Sequence, residues 1–120
     1  DSGGAGKHRG GLGAIYEIEL LEESATAFLF GERGKFPPPG VVDGGAGAMN
    51  KFYYDSDDDD AVNSKKTPPL ISKVTGIKLR KGQRVRLETP GGGGYGKSAD
   101  RPQHLIDNDI AQGYVSGENK

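Results

Sequence analysis

The spacing Gly91-x-x-x-x-Gly96-Lys97-Ser98 is that of a phosphate loop, in which backbone N–H groups cradle phosphates and a lysine reaches the terminal ones. A second stretch, Asp1 to Gly13, sets Lys7-His8-Arg9 among six glycines, the composition of an anion-binding nest. Lys7, Arg9 and the backbone of Gly91, Gly92, Gly93 and Gly94 are therefore candidate contacts for an anion or a neighbouring subunit. Gly96, Lys97 and Ser98 would bind a nucleotide only if the phosphate-loop reading holds. The competing reading of both stretches is a set of tight turns and close backbone approaches, with the basic side chains facing water.

The flanking elements argue against a phosphate loop. Gln83 to Thr89 alternates charged and apolar residues, whereas a buried parallel strand reads as a continuous apolar run. Pro102 falls in the second turn of any helix begun at Lys97-Ser98, where it costs roughly 3 kcal/mol. It suits instead the start of a helix over Pro102 to Gln112, with Leu105, Ile106 and Ile110 inward, Asp107 and Asp109 outward, and Gly113 as the C-terminal cap. No apolar strand ending in an aspartate to hold Mg²⁺ is evident.

Other chemistry-bearing residues are sparse. His8 has no second ligand at metal spacing, and His104, beside the helical apolar stripe, has no visible partner for acid–base work. Asp55-Ser56-Asp57-Asp58-Asp59-Asp60 lacks the glycine and the distal glutamate of a calcium loop and reads as a solvated loop tip. No metal site and no nucleophile–base pair is expected on this chain.

Period-two alternation marks the strands. Ala14 to Leu21 places Tyr16, Ile18 and Leu20 on one face and Glu17 and Glu19 on the other, predicting a half-buried strand. Ala25 to Phe30 reads as a more buried return strand, making a hairpin. Lys51 to Tyr54 is a short strand, with loop from Asp55 through Pro69. Val74 to Arg80 and Arg84 to Thr89 flank Lys81-Gly82 as a second hairpin. Gly31 to Gly40 is a rigid loop with three prolines and a second basic pair, Arg33 and Lys35. The fold class expected is mainly β: one small antiparallel domain over residues 1–120, with long Gly/Pro-rich loops and one C-terminal helix.

Composition bounds what such a chain can do alone. With 32% hydrophobic residues, 21 Gly, 7 Pro and no Trp, it has little material for a self-sufficient core, so an obligate partner is expected. A formal net charge of −1 gives no global field for nucleic acid or an acidic membrane. The absence of cysteine removes disulfides and thiolate chemistry. No run of about 18 apolar residues appears, and a soluble cytoplasmic setting is expected.

Five ordered motifs carry a family resemblance: Asp1 to Gly13, Gly31 to Gly40, Gly44 to Asn50, Ser72 to Gly96, and Gly113 to Ser116. Together they resemble the C-terminal part of the hydantoinase B / 5-oxoprolinase / acetone carboxylase family. That resemblance implies ATP-dependent ring opening of cyclic amides or carboxylation of ketones. The ketone carboxylase branch, acetone and acetophenone carboxylases included, is built from smaller chains. The resemblance therefore points first to a small, non-catalytic or loop-donating subunit of such a complex, and second to a subunit of a hydantoinase or 5-oxoprolinase. It implies hydantoinase A-like and hydantoinase B-like large partners, with ATP and Mg²⁺ held by a partner and none on this chain. An independent nucleotide-binding module through residues 91–98 is the alternative of another class. Lys97 stands where the family commonly has Asp, and that change creates the Gly-Lys-Ser.

Overall fold

Stretches rich in β-branched and aromatic side chains, bounded by Gly, Pro and Ser, become antiparallel strands in the computed structural model, which describes residues 1–57 and 64–117. Two compact units result. One comprises residues 14–36 and 50–89, and the other residues 1–13, 37–49 and 90–120. Asp58, Asp59 and Asp60 of the acidic run lie outside the described residues.

The first unit holds β1 (Ile15–Glu19), β2 (Ser24–Phe30), β3 (Lys51–Ser56), β4 (Ser64–Lys66), β5 (Lys73–Arg80) and β6 (Arg84–Glu88). They form a four-stranded sheet in the order β1-β6-β3-β4 and a two-stranded sheet of β2 and β5. All pairings are antiparallel, with Tyr16 opposite Leu87, Phe52 opposite Leu87, and Ala27 opposite Ile77.

The two expected hairpins do not form. β1 pairs with β6 and β2 with β5, so each short turn carries the chain from one sheet to the other. The turns are tied together where they meet: the Leu20 and Gly82 N–H groups donate to the Gln83 and Leu20 carbonyls at 2.9 and 2.8 Å. Gln83, 2% exposed, accepts from the Arg80 N–H at 2.9 Å through its side chain. Splitting the strands between two sheets lets one apolar face cover the other, which a lone hairpin cannot do. Phe52, Ile77 and Leu79 are the buried apolar residues of that interface among the described residues, with Leu29, Tyr54, Val85 and Leu87 packed around them.

Burial departs from the alternation pattern at two places. β1 is an edge strand exposed along its length, with Ile15, Tyr16 and Ile18 facing solvent. β2 turns Ala27 and Leu29 inward but Phe28 and Phe30 outward. Its register with β5 shifts between Ala27 and Leu29, beside Gly76 at φ +71°, where β5 accommodates an extra residue. The acidic stretch also differs from a plain loop: Asp55 and Ser56 belong to β3 and pair with Lys65 and Ser64 of β4.

The second unit is built chiefly from main chain. The Gly4 N–H donates to the Gly92 carbonyl at 2.8 Å, that of Gly92 to Gly11 at 2.9 Å, that of Gly94 to Gly45 at 2.8 Å, and that of Gly45 to Ala5 at 2.7 Å. Three glycine-rich segments thus lie against one another with no side chain between them. A Cβ on Gly10, Gly91, Gly93 or Gly94 would overlap the carbonyl of a facing segment, whereas Gly11 has open space. Glycine is required here by contact distance rather than by dihedral angle. A 3₁₀ turn (Ser98–Asp100) and α1 (Gln103–Ala111) complete the unit. Pro102 precedes α1 at the N-cap, and Gly113, at φ +71°, ends it by donating to the Ile110 carbonyl.

Two substitutions separate contact from composition. Gly94→Ala should lower stability by roughly 3 kcal/mol or more, because a rigid backbone must move, while Gly11→Ala should be close to neutral. Urea denaturation midpoints of the two variants test this directly.

Candidate functional site

The glycine unit gathers the residues singled out from the sequence. Lys7 and His8 run beside Gly96 and Tyr95, with N–H donors of Lys7 and His8 reaching the Gly96 and Tyr95 carbonyls at 3.2 and 3.0 Å. Gly91, Gly92 and Gly94 pack among the Ser2–Gly11 and Pro39–Ala48 backbones. Gly93 lies against Pro39 and Gly40.

Most amides of the glycine run are already engaged. The N–H groups of Gly91, Gly92, Gly94, Tyr95 and Gly96 donate to the carbonyls of Ala48, Gly11, Gly45, His8 and Val41. They do not form the ring of free donors that phosphates need. Lys97 is extended, at φ −62° and ψ 131°, and its exposed side chain follows Gly96 at φ +75°. Ser98 opens only the short 3₁₀ turn, with no helix aimed at the glycines. This geometry does not fit a Mg-nucleotide, and no step of chemistry is assigned to one on this chain.

Arg9 is placed differently from Lys7. Its guanidinium Nε donates to Asp109 Oδ2 at 3.0 Å and its Nη1 to the Gly10 carbonyl at 2.7 Å. Arg101 joins the same carboxylate, its Nη2 donating to Asp109 Oδ2 at 2.7 Å and its Nη1 to the Lys7 carbonyl at 3.1 Å. Tyr114 stacks its ring 5.4 Å from the Arg9 guanidinium carbon. One carboxylate therefore sits between two cations.

Asp109 corrects the expectation that it faces outward: it is 5% exposed. The inward face of α1 is Leu105, Ile106 and Asp109, at i, i+1 and i+4, and it turns Ile110 partly to solvent. Asp107 does face outward, accepting from Gln103 Nε2 at 2.8 Å. Burial pushes the Asp109 carboxyl up, but hydrogen bonds and charge from Arg9 and Arg101 outweigh it and hold the group below the usual carboxylate range.

A cavity of about 250 Å³ adjoins the triad, lined in part by Arg9, Arg101, Asp109, Ser98, Ile106 and Val115. The Arg101 Nε there is buried without a hydrogen-bond partner. The arrangement can fasten α1 to the glycine segments and leaves one surplus positive charge beside the cavity. Among the described residues no cluster of His, Cys, Asp or Glu could hold a metal ion, and His104 is exposed on α1.

The fold and site thus define a class: a mainly antiparallel β unit and a glycine-built loop unit that holds a buried ion triad. The chain belongs to the hydantoinase B/oxoprolinase family, whose model matches residues 1–98. It is 38% identical over 116 residues to an uncharacterised protein of Methanocaldococcus jannaschii and 34% identical over 119 residues to the caprolactamase subunit beta of Pseudomonas jessenii. Each alignment covers 97% of this chain but 19% of the relative, so the chain spans about a fifth of their length. The 5-oxoprolinase of Saccharomyces cerevisiae is 30% identical over 102 residues, which is 82% of this chain and 7% of that protein. No solved structure matches significantly.

Removing the shared carboxylate should leave two partly buried guanidinium groups uncompensated. Asp109→Asn should therefore cost about 3 kcal/mol at neutral pH. The folded-state pKa is depressed, so the carboxylate's contribution is complete above its unfolded value and is lost as pH falls through the lower folded one. Denaturation midpoints of the parent and the variant should differ at pH 7 and converge in acid.

Proposed function

We propose that this chain serves as the glycine-rich segment of a hydantoinase B-type subunit in a hetero-oligomeric, ATP-dependent enzyme that opens cyclic amides. The carrying observation is the alignment over 97% of the chain to a caprolactamase subunit, within a family described by hydantoinase and oxoprolinase. The names of two relatives, caprolactamase and 5-oxoprolinase, support cyclic amides as the substrate class, and the ketone carboxylation implied by the family resemblance is the second reading.

The structure supports an assembly role in two ways. Few side chains are buried: only three apolar residues form the core cluster among the described residues, while Tyr16, Phe28, Phe30 and Phe36 remain exposed. A chain that buries so little apolar surface gains from a partner that covers more. In this reading ATP and Mg²⁺ are bound by a hydantoinase A-like partner, while most glycine amides of this chain are engaged in its own backbone. No helix among the described residues is long and apolar enough to cross a membrane.

Native size-exclusion of the protein from its source, with mass spectrometry of the peak, tests the reading. Co-elution with hydantoinase A- and B-type polypeptides is expected, together with ATP-dependent hydrolysis of a lactam, hydantoin or 5-oxoproline. ATP-dependent fixation of bicarbonate on a ketone would move the assignment to the carboxylases. Lys97→Ala in that complex should leave turnover within about twofold, because a lysine that is exposed and has no partner among the described residues contributes little.

A further inference from the structure

A second cavity, of about 720 Å³, opens where β2 ends and β5 begins, between Gly31–Phe36 and Pro69–Lys73. The family match does not explain why this loop is held so firmly. The Gly31 N–H donates to the Ser72 carbonyl at 2.6 Å, and the Asn50 N–H to the Arg33 carbonyl at 2.9 Å. The Ser72 hydroxyl donates to the Glu32 carbonyl at 3.2 Å. Asn50 and Ser72 are buried, at 3% and 7% exposure. Gly34 lies so close to Ser72 that a Cβ would overlap its hydroxyl. Interior polar groups thus fix the loop backbone and turn its side chains outward.

Those side chains are basic and apolar. Arg33 and Lys35 are exposed and have no carboxylate partner among the described residues. Glu32 is the one carboxylate lining the cavity, 3.9 Å from Lys73, so three cations face one anion. The four-stranded sheet is the opposite case: Arg84 pairs with Glu17 and Glu19, Arg86 with Glu17 and Glu88, and Lys51 with Glu88. Phe36 and Leu70 flank the cations at 69% and 55% exposure. Aromatic and arginine side chains on a preorganised surface are the chemistry of an interface centre.

We propose that this cleft docks an acidic segment of a partner polypeptide. Its carboxylates would meet Arg33 and Lys35, and an apolar side chain would seat between Phe36 and Leu70. Charge complementarity selects the occupant: the cleft carries a local excess of two positive charges on a chain whose formal net charge is −1. The inference rests on the reading above only in requiring a partner chain, whatever its family.

The test uses the complex as isolated from the source. Zero-length carbodiimide coupling should join Lys35 to a carboxylate in an acidic segment that also carries a large apolar residue. Arg33→Glu with Lys35→Glu should weaken association about 100-fold, and Arg33→Lys with Lys35→Arg should stay within about tenfold. If hydantoinase-type partners co-elute, survive the charge reversal and give no Lys35 link, this inference falls and the proposed function stands. A Lys35 link to an acidic segment of chains outside that family supports the cleft and overturns the function. Elution of the chain alone overturns both. Protection of Lys35 from acetylation by Mg-ATP or inorganic phosphate, with no link to a polypeptide, overturns the docking segment in favour of a small anion.

Discussion

The absence of a side chain at a handful of positions is the constraint on which the second unit depends. Backbone N–H and C=O groups must find partners when they leave water, and long loops usually keep them solvated. Here three separated segments satisfy one another instead, through bonds such as Gly4 to Gly92 and Gly94 to Gly45. Such contacts need main chains close enough that a Cβ on Gly93 or Gly94 would enter a neighbouring carbonyl. Ordering this much glycine is entropically expensive, and the bond network offsets part of that loss. The Arg9–Asp109–Arg101 triad then fastens α1 to those segments, linking positions about a hundred residues apart in the chain.

The β unit solves a different problem with scarce apolar material. Two paired turns at Leu20 and Gln83 send neighbouring strands into different sheets, so that Phe52, Ile77 and Leu79 meet across the interface. Ile15, Tyr16 and Ile18 of β1 and Phe28 and Phe30 of β2 stay outside. The ion pairs of β1 and β6, largely exposed, add little stability but help set the register of an edge strand.

Much of the architecture was legible beforehand. The stretches that became β1, β2, β5 and β6, the helix after Pro102, and its glycine stop followed from alternation, helical spacing and cap residues. Strand partners were not legible, because both turns carry hairpin-compatible residues and only the stacking of two sheets decides between a hairpin and a corner. Asp109 was misplaced for a similar reason: a helix of nine residues with few apolar side chains admits more than one inward face.

By itself the sequence determined the class of structure, the family and the poverty of the core, because composition, periodicity and ordered motifs are local properties. It also favoured tight turns or close approach over a phosphate loop for the glycine run, since the strand before it and Pro102 after it conflict with such a loop. Only the tertiary structure decided which carbonyls receive those glycine N–H groups, which strands share a sheet, and that Arg9, Arg101 and Asp109 form one buried charge cluster. These are pairings between distant segments, and their energies come from mutual burial and contact, which one-dimensional spacing does not encode.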